Sequence, residues 1–235
     1  ISAGYDLEGI KPEKIDNFLN TMQHAQDADI FRTCREYLLA HTDLFEHVTK
    51  EDIESISGDI CNSVTISTLH GCPPQEIERI AMYLITEKGF HTFIKCNPTL
   101  LGYEYARKMM DDMGYDYVAF GDFHFKDDLQ YEDAVPMLTR LMKVCEERNL
   151  EFGVKITNTF PVDVKQNELP SEEMYMSGKS LYPLSISVAA KLAKDFGGKL
   201  RISYSGGADF HNIKDIVEAG IWPVTVATTL LKPGG

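Results

Sequence analysis

The sequence predicts an α/β fold, a TIM-type (β/α)8 barrel in which parallel strands alternate with helices. Three observations lead there. Short β-branched runs alternate with stretches of helical periodicity through most of the chain. The strand-like runs stop at turn residues that lead directly into a helix, the mark of a βαβ unit. A chain of 235 residues with 43% hydrophobic content also suits the core of one barrel domain.

The clearest unit begins at the strand Ser63–Ser67 and turns through His70-Gly71-Cys72-Pro73-Pro74. In the following helix Ile77, Ile80, Ala81 and Leu84 recur at i, i+3, i+4 and i+7. Its first turn holds proline and acidic residues, as the macrodipole favours. Gly89 ends it, and the next strand is Thr92–Cys96. The pattern continues with a helix over Tyr103–Met113, a strand over Asp116–Phe120, a helix over Glu132–Glu147 and a strand over Phe152–Thr157. After a polar excursion come a helix over Leu184–Asp195, the strand Leu200–Tyr204, a helix over Asn212–Ala219 and the strand Pro223–Ala227. With a strand at Ile1–Gly4, about seven are expected.

Helical stretches over Pro12–His24, Ala28–Ala40 and Lys50–Ser55 form an elaboration between the first two strands. The chain begins without methionine and stops just after a strand-like segment. It is therefore expected to be one domain, residues 1–235, cut from a longer multidomain polypeptide, with the first strands of its barrel missing.

The formal charge of −13 disfavours nucleic acid and anionic membranes as partners. There is no apolar run near the length of a membrane span, and the first residues lead us to expect no signal peptide. Cys34, Cys61, Cys72, Cys96 and Cys145 are scattered without a CxxC pair. That argues for a reducing cytoplasm and against an iron–sulfur or zinc site in this segment. The stretch Gly121–Asp128 offers a single imidazole among solvated carboxylates, so no metal is expected.

In a parallel barrel the chemistry sits where strands stop. The strand ends here are His70-Gly71-Cys72, Lys95-Cys96-Asn97, Gly121-Asp122, Thr157-Asn158-Thr159, Ser205-Gly206-Gly207 and Thr228-Thr229. Gly206 and Gly207, with Thr228 and Thr229 on the next unit, make a phosphate cup, because glycines let backbone N–H groups approach an anion. Gly206-Gly207 serving only as a tight turn is the plainer alternative.

Lys95 puts a cation at the end of an apolar strand. It suits a flavin, whose reduced ring carries charge at N1 and the C2 carbonyl. It equally suits a Schiff base or a rim ion pair. Lys155 is a second strand lysine, and the sequence does not say which of the two faces a ligand. Cys72, ahead of a helix N-terminus that would lower its pKa, reads as a general acid or base, or as an inert buried thiol. Asn158 and Thr159 offer amide and hydroxyl groups to a planar ring, or satisfy a turn.

Ser63 to Asn97, with Cys72-Pro73 and Phe93-Ile94-Lys95-Cys96-Asn97-Pro98, resembles the cysteine loop and lysine strand of the dihydroorotate and dihydropyrimidine dehydrogenases. Thr157-Asn158-Thr159, Met176-Ser177-Gly178, Ser205-Gly206-Gly207 and Val226-Ala227-Thr228-Thr229 continue that resemblance in order. Ser67–Pro74, Glu172–Gly178 and Ile202–Asp209 are closer still to the large flavin and iron–sulfur subunits of the selenate reductase type, which are built like dihydropyrimidine dehydrogenase.

The resemblance implies an FMN whose phosphate lies on Gly206, Gly207, Thr228 and Thr229, with Lys95 at the ring and Ser177 and Gly178 nearby. Cys72 would exchange a proton with substrate carbon, and Asn158 and Thr159 would hold the edge of a small pyrimidine- or purine-like substrate, with His70 and Asn97 beside them. NAD(P)H, FAD and iron–sulfur clusters would belong to other domains or subunits of a redox complex. The family's asparagine before the cysteine is replaced by the neighbourhood of Ser67, Thr68 and His70, so substrate recognition is expected to differ. Two other readings of the residues are a Schiff-base lyase or aldolase on the same cup and a non-catalytic barrel within an electron-transfer complex.

Overall fold

In a computed structural model of the chain, residues 1–4, 6–67 and 70–231 are described. Thr68 and Leu69 of the cysteine-loop motif, Tyr5 and residues 232–235 lie outside them. Strands β1 (Ser2–Ala3), β2 (Ser63–Ile66), β3 (His91–Cys96) and β4 (Phe152–Ile156) join in one sheet. A hairpin, β5 (Phe160–Asp163) with β6 (Glu173–Met176), stands apart, and β7 (Arg201–Ser205) and β8 (Val224–Thr225) complete the first sheet. Its order is β1-β2-β3-β4-β7-β8, with every pairing parallel. Among the described residues β1 and β8 are edges, so the sheet curls into an open half-barrel with helices outside.

The helices are α1 (Leu7–Ile10), α2 (Glu13–Gln23), α3 (Asp29–Ala40) and α4 (Lys50–Glu54), all between β1 and β2 as the elaboration expected there. Then come α5 (Pro74–Thr86), α6 (Tyr103–Asp112), α7 (Phe123–Asp127), α8 (Tyr131–Glu147), α9 (Tyr182–Asp195), α10 (Ile213–Glu218) and α11 (Thr228–Leu231). The α5 stripe Ile77, Ile80, Ala81 and Leu84 is buried. It packs in one core with Val64 and Ile66 of β2 and Ile94 and Cys96 of β3. Because strand side chains alternate, the opposite face of the sheet carries Phe93 and Lys95 on β3, Lys155 on β4 and Ser203 on β7.

Asp116–Phe120, expected as a strand, is not one. β3 pairs directly with β4, which leaves this segment no place in the ladder. Its carbonyls go elsewhere: Val118 O accepts from Arg107 at 2.6 Å and Ala119 O from Asp163 N at 2.8 Å, while Arg107 also reaches Tyr115 O, just before the segment, at 3.2 Å. Phe120 packs edge-on to Tyr103 and Phe160. The strand that ends at Asn158 is thus the one in the barrel sheet, and Gly121-Asp122 is a turn into α7 rather than a strand end. The polar excursion conceals β5 and β6, whose antiparallel register pairs Phe160 with Met176.

Candidate functional site

Two groups of side chains gather at the C-terminal ends of the strands. The first surrounds a cavity of about 130 Å³ lined by Lys95, Thr157, Thr159, Ser177, Gly178, Ser205, Gly206, Gly207, Thr228 and Thr229, with Leu181, Ala208, Thr225 and Ala227. The backbone at Gly207 has φ +77°, and a Cβ there would stand 2.2 Å from Gly178 O. A Cβ on Gly206 would stand 2.2 Å from Ser185 Oγ, itself within 2.6 Å of Thr157 Oγ1. Only glycine fits either position. Asn212 holds the turn, donating to Gly207 O at 3.0 Å and accepting from Asp209 N at 2.8 Å. Among the described residues the N–H groups of Gly206, Gly207 and Ala208 have no backbone acceptor. The cup therefore presents free donors, which suits an anion.

Lys95 enters this cavity beside Lys155, its register partner. Burial, and then the Lys155 charge, hold its ammonium below the usual lysine range. Among the described residues neither lysine has an ion-pair partner. A negative group placed here would relieve both effects.

The second group centres on Asp128, just beyond α7, whose side chain is 1% exposed. Its carboxylate accepts from His70 Nδ1 at 2.8 Å, Gly71 N at 2.9 Å, Asn97 Nδ2 at 3.0 Å and Thr99 Oγ1 at 2.7 Å. Burial alone would raise this carboxyl, but the hydrogen bonds from His70, Thr99 and Gly71 together hold it below the ordinary aspartate value. Asn97 Oδ1 in turn accepts from Asn158 Nδ2 at 2.7 Å. A continuous chain thus runs from His70 through Asp128 and Asn97 to Asn158, whose neighbours Thr157 and Thr159 line the cup. The far side of the His70 ring meets Tyr175 at 6.2 Å and His124 at 5.4 Å between centroids. His124 Nε2 pairs with Glu173 Oε1 at 2.9 Å.

Cys72 differs from expectation. It is half-buried, its only hydrogen-bond neighbour among the described residues is Pro73 O at 4.0 Å, and it is not among the residues that line the cup. Its thiol is raised, not lowered: burial dominates, and the carboxylates of Glu76 and Asp6 add to it.

Of the residues singled out in the sequence, Lys95, Thr159, Ser177, Gly178, Gly206, Gly207, Thr228 and Thr229 meet in one cavity, while His70, Asn97 and Asn158 meet in the adjoining network. Cys72 sits in the His70 loop without joining either. Sequence reasoning missed Asp128, which looked like one more loop carboxylate. The local signal available was its spacing just past the short helix that His124 and Phe125 begin to form. Also missed were Asp209, 5% exposed and paired with Lys179 at 3.1 Å, and the stacking surface of Tyr175 on the unforeseen hairpin.

Residues 1–235 match in full the family model described as the oxidoreductase YgfK N-terminal TIM-barrel domain. The chain belongs to that family. It is 47% identical over 246 aligned positions to proteins of Escherichia coli strain K12 and of Escherichia coli O157:H7, both named as oxidoreductase YgfK. The match takes in 100% of this chain and 24% of each relative, so the YgfK-type barrel domain spans about a quarter of their length. A solved structure of DHODH with ferulenol from Eimeria tenella aligns over 73% of this chain and 53% of its own, at 17% identity and a TM-score of 0.37. No described helix of the YgfK-type domain is long and apolar enough to cross a membrane.

Proposed function

We propose that this domain is the flavin-dependent part of an oxidoreductase, holding FMN in the Gly206-Gly207 cup. It would reduce a small planar heterocycle of pyrimidine or purine type with electrons delivered from NAD(P)H through FAD and iron–sulfur clusters in other domains. The observation that carries the reading is the convergence on one cavity of threonine hydroxyls with backbone donors and a lysine that have no partner among the described residues. Membership of an oxidoreductase family supports it.

The residues fit the group. Gly206, Gly207, Thr228 and Thr229 offer donors to a phosphate where any larger residue at the two glycines would fill the space. Ser177 and Gly178 close the cup from the end of β6. Bound here, a flavin would supply two-electron hydride chemistry. Lys95, with Lys155 beside it, brings positive charge to the polar edge of the ring, and Asn158 and Thr159 offer an amide and a hydroxyl to the substrate edge. Two groups of the β2–α5 loop are able to hand the substrate a proton, the Cys72 thiol and the His70 imidazole. Selenate, the acceptor that gives the related subunits their name, finds no residue here that explains its reduction.

The test is the visible spectrum of the intact protein, followed by reoxidation of the reduced chromophore with uracil, orotate and hypoxanthine. Flavin absorption and turnover with one of these rings are expected. A colourless protein, or a chromophore that none of them reoxidises, contradicts the reading.

One observation favours a second reading. A lysine held below its usual range by burial and a neighbouring cation is the form that makes Schiff bases, as in decarboxylases and aldolases. Borohydride trapping of a carbonyl compound on Lys95 would support it, and flavin absorption would exclude it.

A further inference from the structure

We propose that His70, held through Nδ1 by the buried Asp128 carboxylate, is the group that gives the substrate its proton, with Asp128 as its positioning residue. The inference rests on the flavin reading above and names the acid that this reading leaves open.

The geometry is that of a dyad. Asp128 accepts from Nδ1, which leaves Nε2 as the nitrogen able to face a substrate. The carboxylate is fixed by three further donors, Gly71 N, Asn97 Nδ2 and Thr99 Oγ1, so it cannot turn away from the ring. The His70 side chain stays 21% exposed, enough for its proton to be replaced from water. The same network runs on through Asn97 to Asn158, which lies in the chain between Thr157 and Thr159 of the cup lining, and so ties the imidazole to the neighbourhood of that cavity. For the Cys72 thiol, in contrast, the described residues offer only the distant carbonyl of Pro73 at 4.0 Å.

Reducing a C=C or C=N bond consumes one hydride and one proton. A flavin bound in the cup would supply the hydride with both electrons and would itself be oxidised. The proton leaves imidazolium Nε2, so an N–H bond breaks there and a C–H or N–H bond forms on the substrate atom next to the one that took the hydride. Neutral imidazole then takes a proton from solvent. The charged and titratable groups facing His70 are Asp128, His124 with its partner Glu173, and Tyr175.

His70→Asn in the intact protein keeps a donor for Asp128 but removes Nε2. The expected result is an unchanged flavin spectrum with turnover on the accepted ring lowered roughly 10²- to 10⁴-fold, the range for a lost general acid. Added imidazole should restore part of the rate. A reading independent of flavin is the labelling of His70 by diethyl pyrocarbonate, followed by peptide mass spectrometry. Asp128→Asn should slow it by about tenfold, because the ring loses the carboxylate that fixes its tautomer. Asp128→Glu should recover part of the labelling, and it provides a second variant should the amide not fold. Equal labelling in wild type and both Asp128 variants overturns the dyad. So does turnover of His70→Asn within about threefold of wild type while Cys72→Ala loses the larger factor expected of the acid. A colourless protein, by contrast, removes the flavin reading and leaves the labelling result to judge the dyad alone.

Discussion

Lys95 of β3 lies opposite Lys155 of β4 in parallel register, on one face of the sheet, and among the described residues neither finds a carboxylate. Two adjacent ammonium groups in a half-buried place are costly without an anion. If that anion is the flavin, Lys95→Met should weaken FMN binding by about one to two powers of ten, the worth of a charge-assisted hydrogen bond. Fluorescence titration of FMN into the intact apoprotein would measure it. Unaltered affinity would remove Lys95 from the flavin.

The glycine cup makes a prediction about stability that needs no ligand. Gly207→Ala combines φ +77° with a Cβ that would lie 2.2 Å from backbone Gly178 O, whereas Gly220→Ala combines φ +81° with open space. The second should cost only the left-handed strain, about 1–2 kcal/mol. The first should cost clearly more in thermal unfolding, since one backbone must move off another. Equal losses would mean that the Gly178 and Gly207 turns do not touch.

Asp128 links the site to stability through pH. Its carboxyl is held below the ordinary aspartate value, so the stability it contributes is present above the unfolded value, near pH 3.9. That contribution is lost as pH falls through the lower folded value. Asp128→Asn should therefore destabilise the protein at neutral pH by about 3 kcal/mol, the order expected when a buried pair loses one partner. The gap between variant and wild type should narrow only in strong acid. Denaturant unfolding at neutral pH and near pH 3 would measure it, and a gap that widens in acid would contradict the assigned ionisation.

The Cys72 thiol should stay protonated at neutral pH, because burial and then Glu76 and Asp6 disfavour the thiolate. Glu76→Gln keeps the acceptor that Leu7 N uses at 2.9 Å and removes the charge. Iodoacetamide should then label Cys72 faster at pH 8 than in wild type. Identical rates would show that Glu76 does not act on the thiol.

Much of this architecture was legible in the sequence because each βαβ unit announces itself locally. The α5 stripe and the β-branched strand before it require no long-range information. The cup was legible for the same reason, since glycine and threonine pairs at consecutive strand ends restrict what the backbone can do. Asp116–Phe120 misled because its residues suit a strand, yet pairing is decided by neighbours: β4 took the place beside β3, Arg107 took the Val118 carbonyl and Asp163 N that of Ala119. The β5–β6 hairpin was hidden by the polar residues of its long connection. Asp128 was hidden by distance, for its partners His70, Thr99 and Asn97 come from two other strand ends. The lowering expected for the Cys72 thiol followed from the α5 N-terminus, which is visible in the sequence, whereas its burial, the main cause of the raised value, and the approach of Asp6 are visible only in the fold.

The most direct test of the flavin cup is the visible absorption spectrum of the intact purified protein beside that of its Gly206→Val variant. The account predicts flavin bands in the wild type and their loss in the variant, because a side chain at Gly206 would occupy the space beside Ser185 Oγ where the turn must close. A wild-type protein without flavin bands, or a folded variant whose bands are unchanged, would contradict it.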